Sequence, residues 1–154
     1  MKDATLIYNP RAGQLNGLAK VEPAAEVWRA AGWRVTLEPT RRPGHATELA
    51  RAAADAGADV VLAAGGDGTL GQVADGLAGS ATALAPLPMG TANALARELR
   101  LPRLQLFDPN APVEAATALL GGRVQAVDLN YVQTRGWAGH ALLWAGIGAD
   151  GYLV

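Results

Sequence analysis

Apolar strand-like runs alternate with amphipathic helical patterns from Ala4 to Leu120, and this alternation limits the fold more than any other feature of the chain. Ala4–Tyr8, the alternating run Trp33–Leu37, Val60–Ala63 and Ala83–Leu87 read as strands, with Trp33–Leu37 at an edge or half-buried. Between and after them, Leu18–Ala31, His45–Ala56 (apolar at Leu49, Ala53 and Ala56), Leu70–Leu77, Thr91–Arg100 and Val113–Leu120 read as helices. The order βαβαβαβα predicts parallel strands joined by crossover helices. The expected fold is therefore an α/β parallel-sheet sandwich, in which ligands collect at the carboxyl ends of the strands. Asn9–Gly13, Gly65–Thr69 and Pro88–Asn93 all fall at such ends.

The second of these segments carries the most chemistry. Gly65-Gly66-Asp67-Gly68-Thr69-Leu70 directly follows the apolar run Asp59–Ala64. Three glycines around one carboxylate let peptide N–H groups approach a phosphate without a Cβ in the way. The helix that opens near Thr69 would add its own free N–H groups and the positive end of its dipole. Asp67 would then stand where a metal ion bridging phosphates needs an oxygen ligand. The competing reading is a tight strand-to-helix turn, with glycine chosen for positive φ and Asp67 capping the helix. Pro88-Met89-Gly90-Thr91-Ala92-Asn93 offers a similar choice, a second ligand loop or a plain N-cap by Thr91.

Charge and composition exclude several classes. With 13 basic and 14 acidic residues and no basic run longer than Arg41-Arg42, the electrostatic source of nucleic-acid affinity is missing. The chain has no cysteine, so disulfides, thiolate zinc sites and a cysteine nucleophile are out, which fits a reducing compartment. Only Lys2 and Asp3 follow Met1 before the first strand-like run, leaving no room for a secretion signal, and no apolar stretch approaches about 20 residues. The expectation is a soluble, cytoplasmic protein.

The final third changes character. Val124, Ala126, Val127, Leu129 and Val132, a turn at Gly136, then Ala141–Ala145 read as antiparallel β structure with no helix between. Residues 1–122 are therefore expected to form one α/β domain and residues 123–154 the first strands of an incomplete β-rich second domain. Leu142, Leu143, Trp144 and Ile147 would then be orphaned apolar positions that favour self-association, for instance as a homodimer.

Other patterns lack support. Gly146–Gly151 has dinucleotide-loop spacing, yet no helix, second strand or ribose-binding acid follows it. His45 and His140 have no nearby second ligand in sequence, so neither a zinc site nor a triad is indicated, and His45 reads as a helix-start residue. No P-loop is present. Trp28, Trp33, Trp137 and Trp144 read as core or half-buried packing residues.

Taken together and in order, Asn9-Pro10-Arg11-Ala12-Gly13, Thr40 with Gly44-His45-Ala46, Gly65–Leu70, Pro88–Asn93 and Ala145–Asp150 resemble the diacylglycerol kinase catalytic-domain family, which includes diacylglycerol, ceramide and sphingosine kinases. Gly90–Leu99 is most similar to the sphingosine-kinase side of that family. The resemblance implies a nucleotide-binding domain related in fold to NAD kinase and phosphofructokinase, followed by a β-rich domain. It implies ATP and Mg²⁺ as cofactors, and transfer of the ATP γ-phosphoryl to a lipid hydroxyl at a membrane surface, on the inner face. On that resemblance the nucleotide contacts are Asn9, Pro10, Arg11, Ala12, Gly13, Thr40, Gly65, Gly66, Asp67, Gly68, Thr69, Leu70, Gly71, Thr91 and Asn93, with Asp67 as the metal ligand. The catalytic base falls beyond Val154, so the 154 residues by themselves are expected to be inactive. One departure stands out: the family usually continues with Asn-Glu where this chain has Gly71-Gln72, removing a carboxylate beside the phosphate site. An NAD kinase-like enzyme shares the Gly-Gly-Asp-Gly-Thr run but not the Pro88–Asn93 pattern; a catalytically silent nucleotide-binding module is the other alternative.

Overall fold

Strands β1 (Lys2–Tyr8), β2 (Trp33–Pro39), β3 (Val60–Gly65) and β4 (Ala83–Pro88) form one parallel sheet in the order β2-β1-β3-β4. A computed structural model of the chain describes residues 1–11, 17–101, 110–136 and 138–143. Helices α1 (Gly17–Ala30), α2 (His45–Asp55) and α3 (Asp67–Leu77) make the three crossovers, and α4 (Ala94–Glu98) and α5 (Ala111–Leu120) follow β4. An antiparallel hairpin, β5 (Asn130–Gln133) with β6 (Ala138–Ala141), comes last.

Period-2 alternation sends side chains to both faces of the sheet, as a parallel sheet buried on both sides requires. Ala4, Leu6 and Tyr8 of β1, with Val60, Leu62 and Ala64 of β3, pack on one face against α1 and α5. Ile7, Val61 and Ala63 pack on the other against α2 and α3. The first layer is pinned by Trp28, which is 3% exposed and donates its indole N–H to the Ala116 carbonyl oxygen at 3.0 Å, with its ring 4.7 Å from that of Trp33. In the second layer Gly76 lets α2 close in, since a Cβ there would lie 2.4 Å from the Thr47 carbonyl oxygen.

β4 tolerates two prolines because it is an edge strand. Met89 N–H donates to the Gly65 carbonyl oxygen, so in a parallel ladder the nitrogens of Pro86 and Pro88 face the open side, where no donor is needed. The prolines also blunt that edge against further pairing.

The expected elements are present with shifted ends, and three of the shifts matter. α3 begins at Asp67 rather than at Leu70 or Thr69, so Asp67, Gly68 and Gly71 are helical residues. The helix expected over Thr91–Arg100 is only Ala94–Glu98, because Asn93 and Arg100 take left-handed conformations (φ 48° and 51°) that a continuous helix excludes. Residues 122–129 have no regular structure, although the β unit is expected to open at Arg123; among the described residues no strand lies beside them to complete a ladder, and Val124 and Val127 stay exposed. The hairpin itself is antiparallel as expected, and it is tied to α3 by His140, whose backbone N–H donates to Asp75 Oδ1 at 2.7 Å while its Nδ1 lies 3.0 Å from the same oxygen. Leu142 and Leu143 are half-buried; Trp137, Trp144, Ile147 and the Gly146–Gly151 pattern lie outside the described residues.

Candidate functional site

The sheet order creates a switch point. From β1 the chain moves to one side to form β2, then crosses back over β1 to form β3, so the loops leaving β1 and β3 part in opposite directions. In open parallel sheets that divergence opens a crevice at the carboxyl ends. The four strands finish nearly level there: Tyr8 is in register with Pro39 and with Ala64, and Gly65 with Pro88. Ladder bonds carry on past the strand ends, from Asn9 N–H to the Ala64 carbonyl oxygen (3.1 Å) and from Thr40 N–H to that of Tyr8 (2.8 Å). Asn9, Thr40, the Gly65–Thr69 turn and the Pro88–Asn93 loop are thereby brought to one rim.

The loop after β1 is shaped by Asn9, whose Oδ1 accepts the Arg11 N–H at 2.9 Å in an Asx turn, leaving Pro10 and Arg11 exposed. The start of α1 presses on this turn, since a Cβ on Gly17 would lie 2.9 Å from Pro10 Cα. Ala12 and Gly13 lie outside the described residues.

Glycine is needed at the end of β3 for close approach and not for positive φ. Gly66, the N-cap of α3, has φ −86°, and none of Gly65, Gly66 and Gly68 is left-handed. A Cβ on Gly65 would meet Thr69 Oγ1 at 2.5 Å, so the Thr69 side chain folds back over the strand end. A Cβ on Gly90 would lie 2.6 Å from Gly66 Cα, which means that the loops after β3 and β4 touch backbone to backbone. Gly68 is different: it is exposed, and a Cβ there meets nothing within 4 Å. Thr69 and Leu70 N–H already donate to the Gly66 carbonyl oxygen. Those of Asp67 and Gly68 have no partner among the described residues, and they are the donors that the first turn of α3 presents to the rim.

Asp67 does not cap its own helix. Its Oδ1 accepts the N–H of Ala94, the first residue of α4, at 2.8 Å. The carboxylate thus bridges two rim loops and serves the helix whose N-cap, Asn93, makes no cap bond of its own. Asn93 is buried, and both of its amide atoms are engaged by Gly90: Oδ1 accepts the Gly90 N–H (2.9 Å) and Nδ2 donates to the Gly90 carbonyl oxygen (2.7 Å). Thr91 is exposed and is not the N-cap. Leu70 is buried in the second layer of the core, and Gly71 is half-buried one residue along α3.

A carboxylate with one oxygen hydrogen-bonded still offers the other to a cation. Among the described residues no cluster of three or more His, Cys, Asp or Glu could hold a metal by itself. The Asp67 carboxylate at the rim is an oxygen donor of the kind that a hard divalent cation takes.

Beyond the glycine turns, the rim is lined by the segment after β2. There Arg42 donates to both carboxylate oxygens of Glu48 (2.8 and 2.6 Å), and this bidentate bond holds the Glu48 carboxyl below its ordinary range and raises the Arg42 guanidinium. Both side chains are exposed, so the pair orders the start of α2 more than it stabilises the fold. Two rim residues stand outside the nucleotide contacts that the resemblance implies: Gly90, marked in the sequence only as part of the Pro88–Asn93 loop, and Gln72, marked only as the loss of a carboxylate.

Comparison with known proteins agrees with this architecture. Residues 3–132 match the family described as the diacylglycerol kinase catalytic domain. The chain is 33% identical over 134 residues to a diacylglycerol kinase of Bacillus subtilis (strain 168), which covers 86% of this chain and 42% of that protein. It is 32% identical over 136 residues to a diacylglycerol kinase of Staphylococcus aureus (strain bovine RF122 / ET3-1), covering 87% of this chain and 41% of that one. A crystal structure described as that of a diacylglycerol kinase from Bacillus anthracis str. Sterne superposes with a TM-score of 0.70 at 29% identity, over 83% of this chain and 42% of the other. The chain thus spans less than half the length of the relatives it matches.

Proposed function

Since the chain belongs to the diacylglycerol kinase catalytic-domain family, we propose that it is the ATP-binding part of a lipid kinase, which transfers the γ-phosphoryl of ATP to a lipid hydroxyl of the diacylglycerol or sphingoid type. The observation that carries this reading is the meeting of two glycine turns, Gly65-Gly66 and Gly90, with the N-terminus of α3 at the switch-point crevice. That place combines close backbone approach with free N–H donors, which is what a polyphosphate needs.

In the transfer, an oxygen–phosphorus bond forms between the lipid hydroxyl and Pγ, the bond from Pγ to the bridging oxygen of ADP breaks, and the hydroxyl proton passes to a base. Positioning and charge neutralisation dominate such a reaction. The N–H groups of Asp67 and Gly68 receive phosphate oxygens. Thr69 contributes its hydroxyl from above Gly65, and Thr91 contributes one from the opposite loop. Asn9, Pro10 and Arg11 wall the β1 side, and Thr40 borders the nucleotide from the end of β2. Magnesium, carried on the phosphates and held by Asp67, would neutralise charge that builds on the leaving oxygen. We place the base beyond Val154, in a β-rich unit that the β5–β6 hairpin would open, and the acceptor lipid between that unit and the α/β unit at the membrane surface. Among the described residues no helix is long and apolar enough to cross a membrane.

The test supplies γ-labelled ATP with Mg²⁺ to the full-length protein in mixed micelles containing diacylglycerol, ceramide or a sphingoid base, and separately with NAD. Labelled lipid is expected. Label in NAD instead would favour the NAD kinase-like alternative, and ATP binding without transfer to any acceptor would favour a silent module.

A further inference from the structure

α3 reaches two rim loops besides the one that leads into it, those after β4 and β2, and Gln72 makes the contact that family resemblance does not account for. At its first residue, α3 holds the loop after β4 through Asp67 and Ala94. One and a half turns later, Gln72 Oε1 accepts the N–H of Gly44, in the loop after β2, at 3.1 Å, and the Gln72 carbonyl oxygen accepts the Thr47 hydroxyl of α2 at 2.9 Å. Gly44 is left-handed (φ 78°) and is the N-cap of α2, so its amide is a first-turn donor that needs an acceptor from outside the helix. The loop it ends begins at Thr40, whose N–H is fixed to the Tyr8 carbonyl oxygen of β1. In between, Arg41 N–H donates to His45 Nδ1 and His45 N–H to the Arg42 carbonyl oxygen, so the segment is closed on itself. Its front is held by the sheet and its back by Gln72.

We infer that Gln72 is a positioning residue for nucleotide: by holding Gly44, it keeps the Thr40–Gly44 segment in register with the glycine turn at the head of the same helix. The inference rests on the nucleotide reading of the crevice. It explains why a neutral amide serves at a position where the family usually has a carboxylate. The task there is to accept one backbone N–H, and a glutamine oxygen does that without adding negative charge beside phosphates.

The experiment uses Gln72→Met, which keeps the length of the side chain and removes the oxygen, and Gln72→Glu, which keeps an acceptor. Affinity for Mg²⁺·ATP is measured by calorimetry on the full-length protein, and amide exchange is followed over residues 40–46. Losing one ordering hydrogen bond is expected to weaken binding about fivefold to tenfold in Gln72→Met and to speed exchange at Gly44. Gln72→Glu is expected to restore slow exchange and most of the affinity, a rescue that loss of general packing would not produce. Wild-type affinity in Gln72→Met, or slow exchange at Gly44 in that variant, overturns the positioning role. If the wild-type protein itself binds no nucleotide, the nucleotide reading fails and the role falls with it, whatever the exchange data show for the clamp.

Discussion

Replacing Gly90 by alanine is expected to destabilise the protein by about 2–4 kcal/mol, because the new methyl group has nowhere to go. Its carbon would lie 2.6 Å from Gly66 Cα, 3.1 Å from Asn93 Oδ1 and 3.4 Å from Gly66 N. Two of these three atoms are backbone at the end of β3, so no rotamer change relieves the clash. Restoring an ordinary carbon–carbon separation of about 3.5–4.0 Å forces the two loops roughly 1 Å apart. That movement stretches the bond from Ala94 to Asp67 (2.8 Å), which joins the two loops, and the new methyl against Asn93 Oδ1 strains the pair between Asn93 and Gly90 (2.9 and 2.7 Å). A neutral hydrogen bond contributes about 1 kcal/mol and one to a charged acceptor about 1.5–3 kcal/mol, so partial loss of the three gives the stated range. For a chain of this length the midpoint should fall by roughly 6–12 °C. Gly68→Ala is the internal control: its Cβ meets nothing within 4 Å and sits inside α3, where alanine gains up to about 1 kcal/mol in helix propensity. Thermal and urea unfolding followed by far-UV circular dichroism compares the two. If Gly90→Ala is as stable as the wild type, or Gly68→Ala loses as much as Gly90→Ala, the backbone contact between the two turns is not what the glycines serve.

The bridging bond of Asp67 and the metal-holding role proposed for it are separable: Asp67→Asn should keep the Ala94 bond and near-native stability while losing the Mg²⁺-dependent part of the thermal shift with ATP, and Asp67→Ala should lose that shift and about 1–2 kcal/mol of stability besides. Equal stability of the two variants would remove the bridging role. Trp28→Phe leaves the Ala116 carbonyl oxygen without its buried donor and should cost about 1–3 kcal/mol by urea denaturation, with loss of the tryptophan pair seen in near-ultraviolet dichroism. The Glu48 carboxyl, held down chiefly by its hydrogen bonds to Arg42, should titrate below the ordinary glutamate range by nuclear magnetic resonance and return upward in Arg42→Met. Its folded-state value being depressed, the stability it adds is present above the ordinary range and is lost as pH falls through the folded value. An unmoved Glu48 in Arg42→Met would show that the pair does not persist in solution.

The element order was legible because its signals are local. Continuous apolar runs such as Leu6–Tyr8 and Val60–Ala63, the alternation of Trp33–Leu37 and the helical apolar spacing of His45–Ala56 depend only on neighbours in the chain. Element ends were less legible: glycine is a poor helix former, so Gly68 hid the true start of α3, which burial of Leu70, Val73 and Leu77 against the sheet overrides. The β pattern after Arg123 was a fair reading of composition, but a strand exists only with a partner, and residues 122–129 have none among those described. The motifs at strand ends all lie along one edge of the sheet, as read, but their internal contacts were open: whether the Asp67 carboxylate caps its own helix or bridges loops is decided by Ala94, 27 residues away.

The sequence by itself determined the α/β class, the parallel sheet and the gathering of the glycine-containing motifs at the carboxyl ends of the strands, since apolar patterning and turn chemistry are written residue by residue. Only the tertiary structure decided the strand order β2-β1-β3-β4 and therefore the place of the crevice, the contact of Gly66 with Gly90 and the hold of Gln72 on Gly44 across 28 residues. Those are distances between segments that become neighbours only when the sheet is assembled and its two helical layers close over it.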